Sequence, residues 1–201
     1  MIKSLLIAAV ASLGGSAAMA AEATGGTLEN LQAAFQGESN AHAKYLAFST
    51  RADAEGYPGA ARLFRAAARA EQIHAAAHAQ VIKSMGGEAA AKIEAAAVGS
   101  TRENLQAALG GESYERDQMY PRFLEKARKD GNARAVRTFN LARNAEIEHA
   151  RLYQAALDDL EKLRAPGEPV WVCSVCGFTS RELPAKCPSS FSPREKFERV
   201  D

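Results

Sequence analysis

Residues 71–74 read Glu-Gln-Ile-His and residues 146–149 read Glu-Ile-Glu-His, two copies of Glu-x-x-His in one chain. Each follows a lone glutamate by 33 or 34 residues, Glu38 in the first half and Glu112 in the second. The flanks repeat as well. Residues 27–39 (TLENLQAAFQGES) and 101–113 (TRENLQAALGGES) agree at 10 of 13 positions at an offset of 74. Phe64 and Ala70 recur as Phe139 and Ala145 at an offset of 75. A duplicated helical hairpin whose halves each supply two carboxylates and an imidazole reads as a metal site.

Helix formers run almost unbroken over residues 27–85, interrupted at Glu55-Gly56-Tyr57-Pro58-Gly59. Apolar residues recur at helical spacing on both sides of that break, as Leu28, Leu31 and Phe35 and then Leu63, Ala67, Ala70, Ala77 and Val81. Gly86-Gly87 stops the second helix, and residues 88–99 form a small, alanine-rich connection long enough to cross the top of a bundle. Ser100-Thr101-Arg102-Glu103 is a capping-box start for a third helix. Asp130-Gly131-Asn132 divides it from a fourth that runs to about Arg164. Pro121 lies inside the third helix; it removes a backbone hydrogen bond and predicts a bend, costing about 3 kcal/mol unless its context compensates. The expected architecture is an all-α main domain over residues 27–164, two hairpins joined by a crossover into a four-helix bundle. A linker at 165–169 then leads to a small cysteine-bearing domain over 170–201.

Helix arithmetic places the ligands together. Glu38 lies 18 residues before Gly56 and Glu71 lies 15 after it; Glu112 lies 19 before Gly131 and Glu146 lies 15 after it. At about 1.5 Å per residue, each lone glutamate and its Glu-x-x-His partner stand within a turn of the same height. Glu71 with His74, and Glu146 with His149, are three apart and share a helix face. Four glutamates and two histidines then meet at one level of the core, where unpaired carboxylates are too costly to persist without cations. This set resembles that of the ferritin-like di-iron and di-manganese carboxylate proteins. The resemblance implies two ions bridged by carboxylates, and the donor types serve iron and manganese alike.

Glu115 breaks the repeat, because its counterpart is Ala41. It stands three residues beyond Glu112, on the same face, and is a further candidate ligand. Tyr45 and Tyr120 follow their lone glutamates by seven and eight residues, close to two turns, so their hydroxyls are candidates to hydrogen-bond the carboxylates. His42 and His78 lack histidine counterparts in the other half and are read as polar or packing residues; Glu148 points away from the ligand face and is read as solvated.

The 201-residue chain opens with a segment that looks processed. Lys3, an apolar run over Leu5–Leu13 and Ala18-Met19-Ala20 predict an export signal over residues 1–20, and hence a periplasmic protein. The apolar run is too short to span a bilayer. Beyond residue 20 the chain carries 24 basic and 24 acidic residues, a balance that gives no support to nucleic-acid or anionic-membrane binding. All three cysteines, Cys173, Cys176 and Cys187, lie in the tail, too few for a disulfide framework.

Cys173-x-x-Cys176-Gly177-Phe178 and Cys187-Pro188 have the shape of two metal knuckles. With them, Gly37-Glu38…Tyr45, Glu71-x-x-His74, Gly111-Glu112-Ser113-Tyr114-Glu115…Tyr120-Pro121 and Glu146-x-x-His149 make the whole chain beyond residue 20 resemble the rubrerythrins. That resemblance implies a ferritin-like di-iron bundle joined to a rubredoxin-like, β-rich tail. It further implies a peroxidase reducing hydrogen peroxide to water, with an external electron donor feeding the bundle through one iron in the tail. It implies exchange of Glu115 and His74 at one iron with oxidation state, and a homodimer in which one chain's tail lies near its partner's di-iron site. The tail departs from the pattern at Ser190, where a fourth cysteine is expected. Three outcomes stay open there: iron or zinc on three thiolates with Ser190 or water, a Cys173–Cys176 disulfide, or a metal-free fold. The alternative reading of the whole is a ferritin-type iron oxidase or iron-binding protein without useful peroxide turnover; an all-α scaffold with a vestigial site is a third.

Overall fold

The structure, a computed structural model, describes residues 25–165 and 167–201, so the export signal expected over 1–20 lies outside the described residues. Helix α1 spans Thr27–Ala54 and α2 spans Pro58–Ser84, an antiparallel hairpin turned at Gly56, whose φ of 76° needs a residue without Cβ. The second hairpin pairs α3 (Thr101–Tyr114) and α4 (Tyr120–Lys129) with α5 (Ala133–Asp158). Among the described residues no helix is long and apolar enough to cross a membrane.

The crossover takes a different path from the one expected. It starts where Gly87 meets Leu28 at the beginning of α1, and it ends where Thr101 bonds Glu55 beyond the end of α1. The chain therefore runs the length of α1 rather than over the top of the bundle. The reason is geometric: α2 ends and α3 begins at opposite ends, and the 28 residues of α1 span about 42 Å. Residues 87–100 carry no helix and, extended, cover about 46 Å. Side-chain amides of α1 pair with the backbone of this strap. Gln36 bonds the Lys92 carbonyl at 2.6 Å and its N–H at 2.8 Å, and Asn40 accepts from the Glu94 N–H at 2.8 Å. The strap delivers the chain to Ser100, which caps α3 in the capping box expected from sequence.

Pro121 is accommodated without breaking the long third rod. Between α3 and α4 the backbone forms a π-helical turn, Glu115–Met119, closed by the Tyr120 N–H donating to the Glu115 carbonyl. The wider turn inserts one residue immediately before the proline ring, whose missing N–H then falls at the start of α4.

Two aromatic quartets close the core on either side of the predicted metal level. Tyr45, Phe48, Phe64 and Tyr153 pack at centroid distances of 5.4–6.2 Å toward one end. Tyr120, Phe123, Phe139 and His78 pack at 5.4–6.4 Å toward the other. Each member of one quartet is the 75-residue repeat of a member of the other, with His78 standing for Tyr153.

After a 3₁₀ turn, Leu160–Arg164, the tail forms a three-stranded antiparallel sheet in the order β2-β1-β3: β1 Val170–Cys173, β2 Thr179–Ser180 and β3 Phe197–Val200. Its apolar side docks on α2 of the same chain, where Val170 and Val172 pack on Ala66, Ala70 and Ile73. An arginine ladder along α2 fastens the rim. Arg69 grips Glu198 with two bonds of 2.7 and 2.9 Å, Arg65 reaches the Asp201 main-chain oxygen, and Arg62 reaches the Gly167 and Glu168 carbonyls. The tail is thereby placed over the middle of the bundle.

Candidate metal centre

Glu38 on α1, Glu71 and His74 on α2, Glu112 on α3, and Glu146 and His149 on α5 converge with at most 2 % of any of them exposed. Their ligand atoms form two overlapping groups, each within 4.8 Å: Glu38, Glu71, His74 and Glu146 in one, and Glu71, Glu112, Glu146 and His149 in the other. Glu71 and Glu146 belong to both. The shared carboxylates are those of the Glu-x-x-His motifs, and the lone glutamates close the two ends. Each histidine turns Nδ1 inward: His74 Nδ1 lies 2.8 Å from Glu71 and 3.2 Å from Glu146, and His149 Nδ1 lies 3.0 Å from Glu146 and 3.3 Å from Glu112.

The tyrosines bond carboxylates as expected, but crosswise. Tyr45 donates to Glu112 Oε1 at 2.5 Å and Tyr120 donates to Glu38, so each half's phenol holds the other half's lone glutamate. Behind Tyr120 stands His78, its Nε2 3.1 Å from the phenol and its Nδ1 3.1 Å from the Thr138 hydroxyl. Burial and the neighbouring His74 push His78 down to about 3, so it is a neutral packing and hydrogen-bonding residue, as read from sequence. His42 bonds the Ala68 carbonyl, and Glu148 pairs with Arg151 outside the site. Tyr153, in the position of His78 in the other half, has no hydrogen-bond partner among the described residues.

Glu115 opens the π turn and stands beside the two groups rather than within them. A Cβ on Gly37 would lie 3.9 Å from Glu115 Oε1, which puts this carboxylate at the Glu38 end. Burial raises Glu115 well above the ordinary carboxylate range, and so does the Glu112 charge.

The tail completes the site from outside, a contribution the sequence did not signal. His74 Nε2 lies 3.0 Å from the Cys176 carbonyl, which can only accept. His149 Nε2 lies 3.0 Å from the Thr179 hydroxyl, whose own proton goes to the Gly177 carbonyl at 2.9 Å. Both outer nitrogens therefore carry hydrogen, and both Nδ1 atoms are left for the interior. Gly177 is required for this approach: its φ is 73°, and a Cβ there would sit 2.3 Å from His74 Nε2.

The donor set fits a pair of cations. Four buried carboxylate oxygens are left for cations: Glu38 Oε2 has no hydrogen-bond partner among the described residues, and Glu71 Oε1 and both oxygens of Glu146 have only an imidazole Nδ1 at 3.0–3.4 Å, itself a candidate metal donor. Protons compensate the charge when metal does not. Burial, with the Glu71 charge beside it, pushes Glu112 up to about 8. Burial alone would lower His74, but the adjoining Glu146 carboxylate raises it to about 10. Glu38 is raised by burial and by Glu115. Burial also opposes ionisation of Glu71, yet hydrogen bonds from His149 and His74 hold it well below its usual range.

These directions set the response to pH. His74 and Glu112 bind protons more tightly folded than unfolded, so they stabilise the metal-free fold at low pH and lose that contribution as pH rises. The opposing demand of His78, whose folded value lies near 3, is spent above its ordinary 6.5. Between pH 6.5 and about 10 the melting temperature of the metal-free protein should fall, while divalent-metal affinity should climb over the same range as competing protons leave. Calorimetric melting with and without metal measures both slopes. Thr179→Val should weaken metal binding by on the order of 10-fold, read by chelator competition, while leaving helix content unchanged.

The comparisons with known proteins agree with this geometry. The rubrerythrin family profile matches residues 29–157. Nigerythrin of Nitratidesulfovibrio vulgaris is 41% identical over 178 residues, covering 87% of each chain. Rubrerythrin of Porphyromonas gingivalis is 35% identical over 177 residues, covering 86% of this chain and 88% of its own. A solved structure described as the fully reduced, all-ferrous state of nigerythrin superposes with a TM-score of 0.82 at 39% identity, covering 91% of both chains. A bacterioferritin of Desulfovibrio desulfuricans, described as having a diiron site, shares the fold with a TM-score of 0.64 at 23% identity. With two overlapping carboxylate–histidine groups in a four-helix bundle and a cysteine-bearing sheet beyond it, the chain belongs to the rubrerythrin family.

Proposed function

We propose that this chain is a di-iron peroxidase that reduces hydrogen peroxide to water, with Glu38, Glu71, His74, Glu112, Glu146 and His149 holding the two irons. The observation that carries this reading is the sharing of Glu71 and Glu146 between two ligand groups, which suits two ions held close together. Two ferrous ions bound there would supply the two electrons that, with two protons, turn one hydrogen peroxide into two waters. Around them the chain's own groups hold the carboxylates and keep water out. Tyr45 and Tyr120 keep their protons, because burial raises both phenols well above their ordinary range, so each remains a donor to its glutamate. The two aromatic quartets close the site along the bundle axis. The tail covers the outer edges of both histidines.

Glu115 gives the site its asymmetry. It stands at the Glu38 end, beside the group that contains His74, and in this reading it is the carboxylate that exchanges with His74 as the iron charge changes. Export, resting on residues 1–20 alone, places the reaction in the periplasm in this reading. Electrons reach the bundle from an external donor; within a single chain the tail already lies against His74, so a homodimer is not needed for that contact. A ferritin-type iron oxidase is the second reading, and Ser190 favours it by altering the site through which electrons would return.

Rapid mixing of the anaerobic, iron-loaded, reduced protein with peroxide and separately with dioxygen tests the choice. Peroxide should oxidise the bundle irons at least roughly tenfold faster, a difference of about 1.4 kcal/mol in barrier. Equal or faster oxidation by dioxygen selects the oxidase. Glu115→Ala should slow the peroxide reaction by a similar factor; an unchanged rate removes Glu115 from the mechanism.

A further inference from the structure

The two turns that carry the tail cysteines are copies of each other, bond for bond. In the first, the Cys173 N–H donates to the Phe178 carbonyl at 2.9 Å and the Gly177 N–H returns to the Cys173 carbonyl at 2.8 Å. In the second, 14 residues on, the Cys187 N–H donates to the Ser192 carbonyl at 2.8 Å and the Phe191 N–H returns to the Cys187 carbonyl at 3.0 Å. Gly177 closes the first turn at φ 73°, and Phe191 closes the second at φ 60°. Among the described residues Phe191 alone, apart from glycines, takes a positive φ. A phenylalanine is thus held in a conformation that favours glycine, and the second turn keeps its form although its second cysteine is a serine.

In this pairing Ser190 answers to Cys176, and its side chain occupies the matching place. Cys173, Cys176 and Cys187 are buried with their sulfurs within 4.8 Å of one another. Ser190 Oγ lies 3.5 Å from Cys173 Sγ, while the Ser190 N–H points at Cys187 Sγ from 3.4 Å. The Ser190 hydroxyl donates to Ser192 Oγ at 2.9 Å and accepts from the Ser192 N–H at 3.4 Å, which leaves an oxygen lone pair to face the sulfurs. Four donor atoms from two matched turns, three of them thiols, form the pattern of a closed tetrahedral site for zinc or iron.

We propose that Ser190 is the fourth ligand of a three-sulfur, one-oxygen metal site in the tail. Binding a divalent ion there releases to solvent whatever thiol protons the three cysteines still carry, and the Ser190 oxygen takes the vertex that a fourth sulfur would hold. The proposal stands apart from the reaction assigned to the bundle, since neither the bundle metals nor turnover enters its test.

Cobalt(II) titrated into the anaerobic, reduced full chain supplies the readout. Thiolate-to-cobalt absorption arises only in the tail, because the bundle offers carboxylates and imidazoles. The wild type should show this absorption, and Ser190→Cys should strengthen it by about a third as a fourth thiolate joins. Ser190→Ala should shift the ligand-field bands and lower cobalt affinity by on the order of 10-fold. Wild-type bands and affinity in Ser190→Ala would give the vertex to water and overturn the proposal. Absence of the thiolate band in the wild type would overturn the site itself. Should Ser190→Ala fail to fold, Ser190→Cys still decides: an unchanged intensity would show that position 190 does not face the metal.

Discussion

Six ionisable side chains buried at one level of a helical bundle are the condition to which the rest of the fold answers. Four carboxylates and two imidazoles, all at most 2 % exposed, cannot hold their unpaired charges without water. The compensation must come from cations or from protons, and the raised affinities of Glu112 and His74 for protons show how strongly the cluster seeks positive charge. Everything around the cluster serves to keep it dry and aligned. Alanines dominate the neighbouring helix faces, Ala34, Ala41, Ala67, Ala70, Ala108, Ala142 and Ala145 among them, so the helices approach closely enough for short carboxylates to meet. The aromatic quartets then seal the column above and below.

Much of this was legible because the chain is a duplication. A single Glu-x-x-His could sit on a solvated helix, whereas two copies, each with a lone glutamate at matching height, left little else for the residues to do. The six buried side chains converge at one level, as helix arithmetic placed them. The repeat also contained a clue to the π turn. Its offset is 74 as far as Glu112 and 75 from Tyr120 onward, so one extra residue must be absorbed between them. The five residues Glu115–Met119 absorb it as a wide turn, which is why Tyr120 follows its glutamate by eight residues and Tyr45 follows by seven, and why Pro121 need not break the rod.

What periodicity could not supply was pairing across elements. Helical spacing places Tyr45 near the site but does not choose between Glu38 and Glu112; that choice belongs to the packing of α1 against α3. The path of residues 87–100 likewise depended on which ends of the bundle had to be joined. The placement of the tail was beyond reach for the same reason. Thr179 and the Cys176 carbonyl carry no local signature of contact with a histidine 30 or 102 residues away.

Both cysteine turns of the tail meet the bundle, but only the first reaches the histidines. The atoms that touch the bundle histidines, the Cys176 carbonyl, the Gly177 backbone and the Thr179 hydroxyl, all follow from the first cysteine turn and β2. The one departure from four cysteines, Ser190, lies in the second turn, whose Ser189 hydroxyl accepts from Asn144 on α5 at 3.3 Å. The groups that bond the bundle histidines, the Cys176 carbonyl and the Thr179 hydroxyl, do not include Ser190. The sheet docks through Val170, Val172 and the arginine contacts of β3, and the second turn takes the form of the first even with a phenylalanine held at φ 60°. Because the second turn repeats the bonds of the first while carrying Ser190 in the place of Cys176, it presents an oxygen, a shorter and harder donor than sulfur, to the same sulfur cluster.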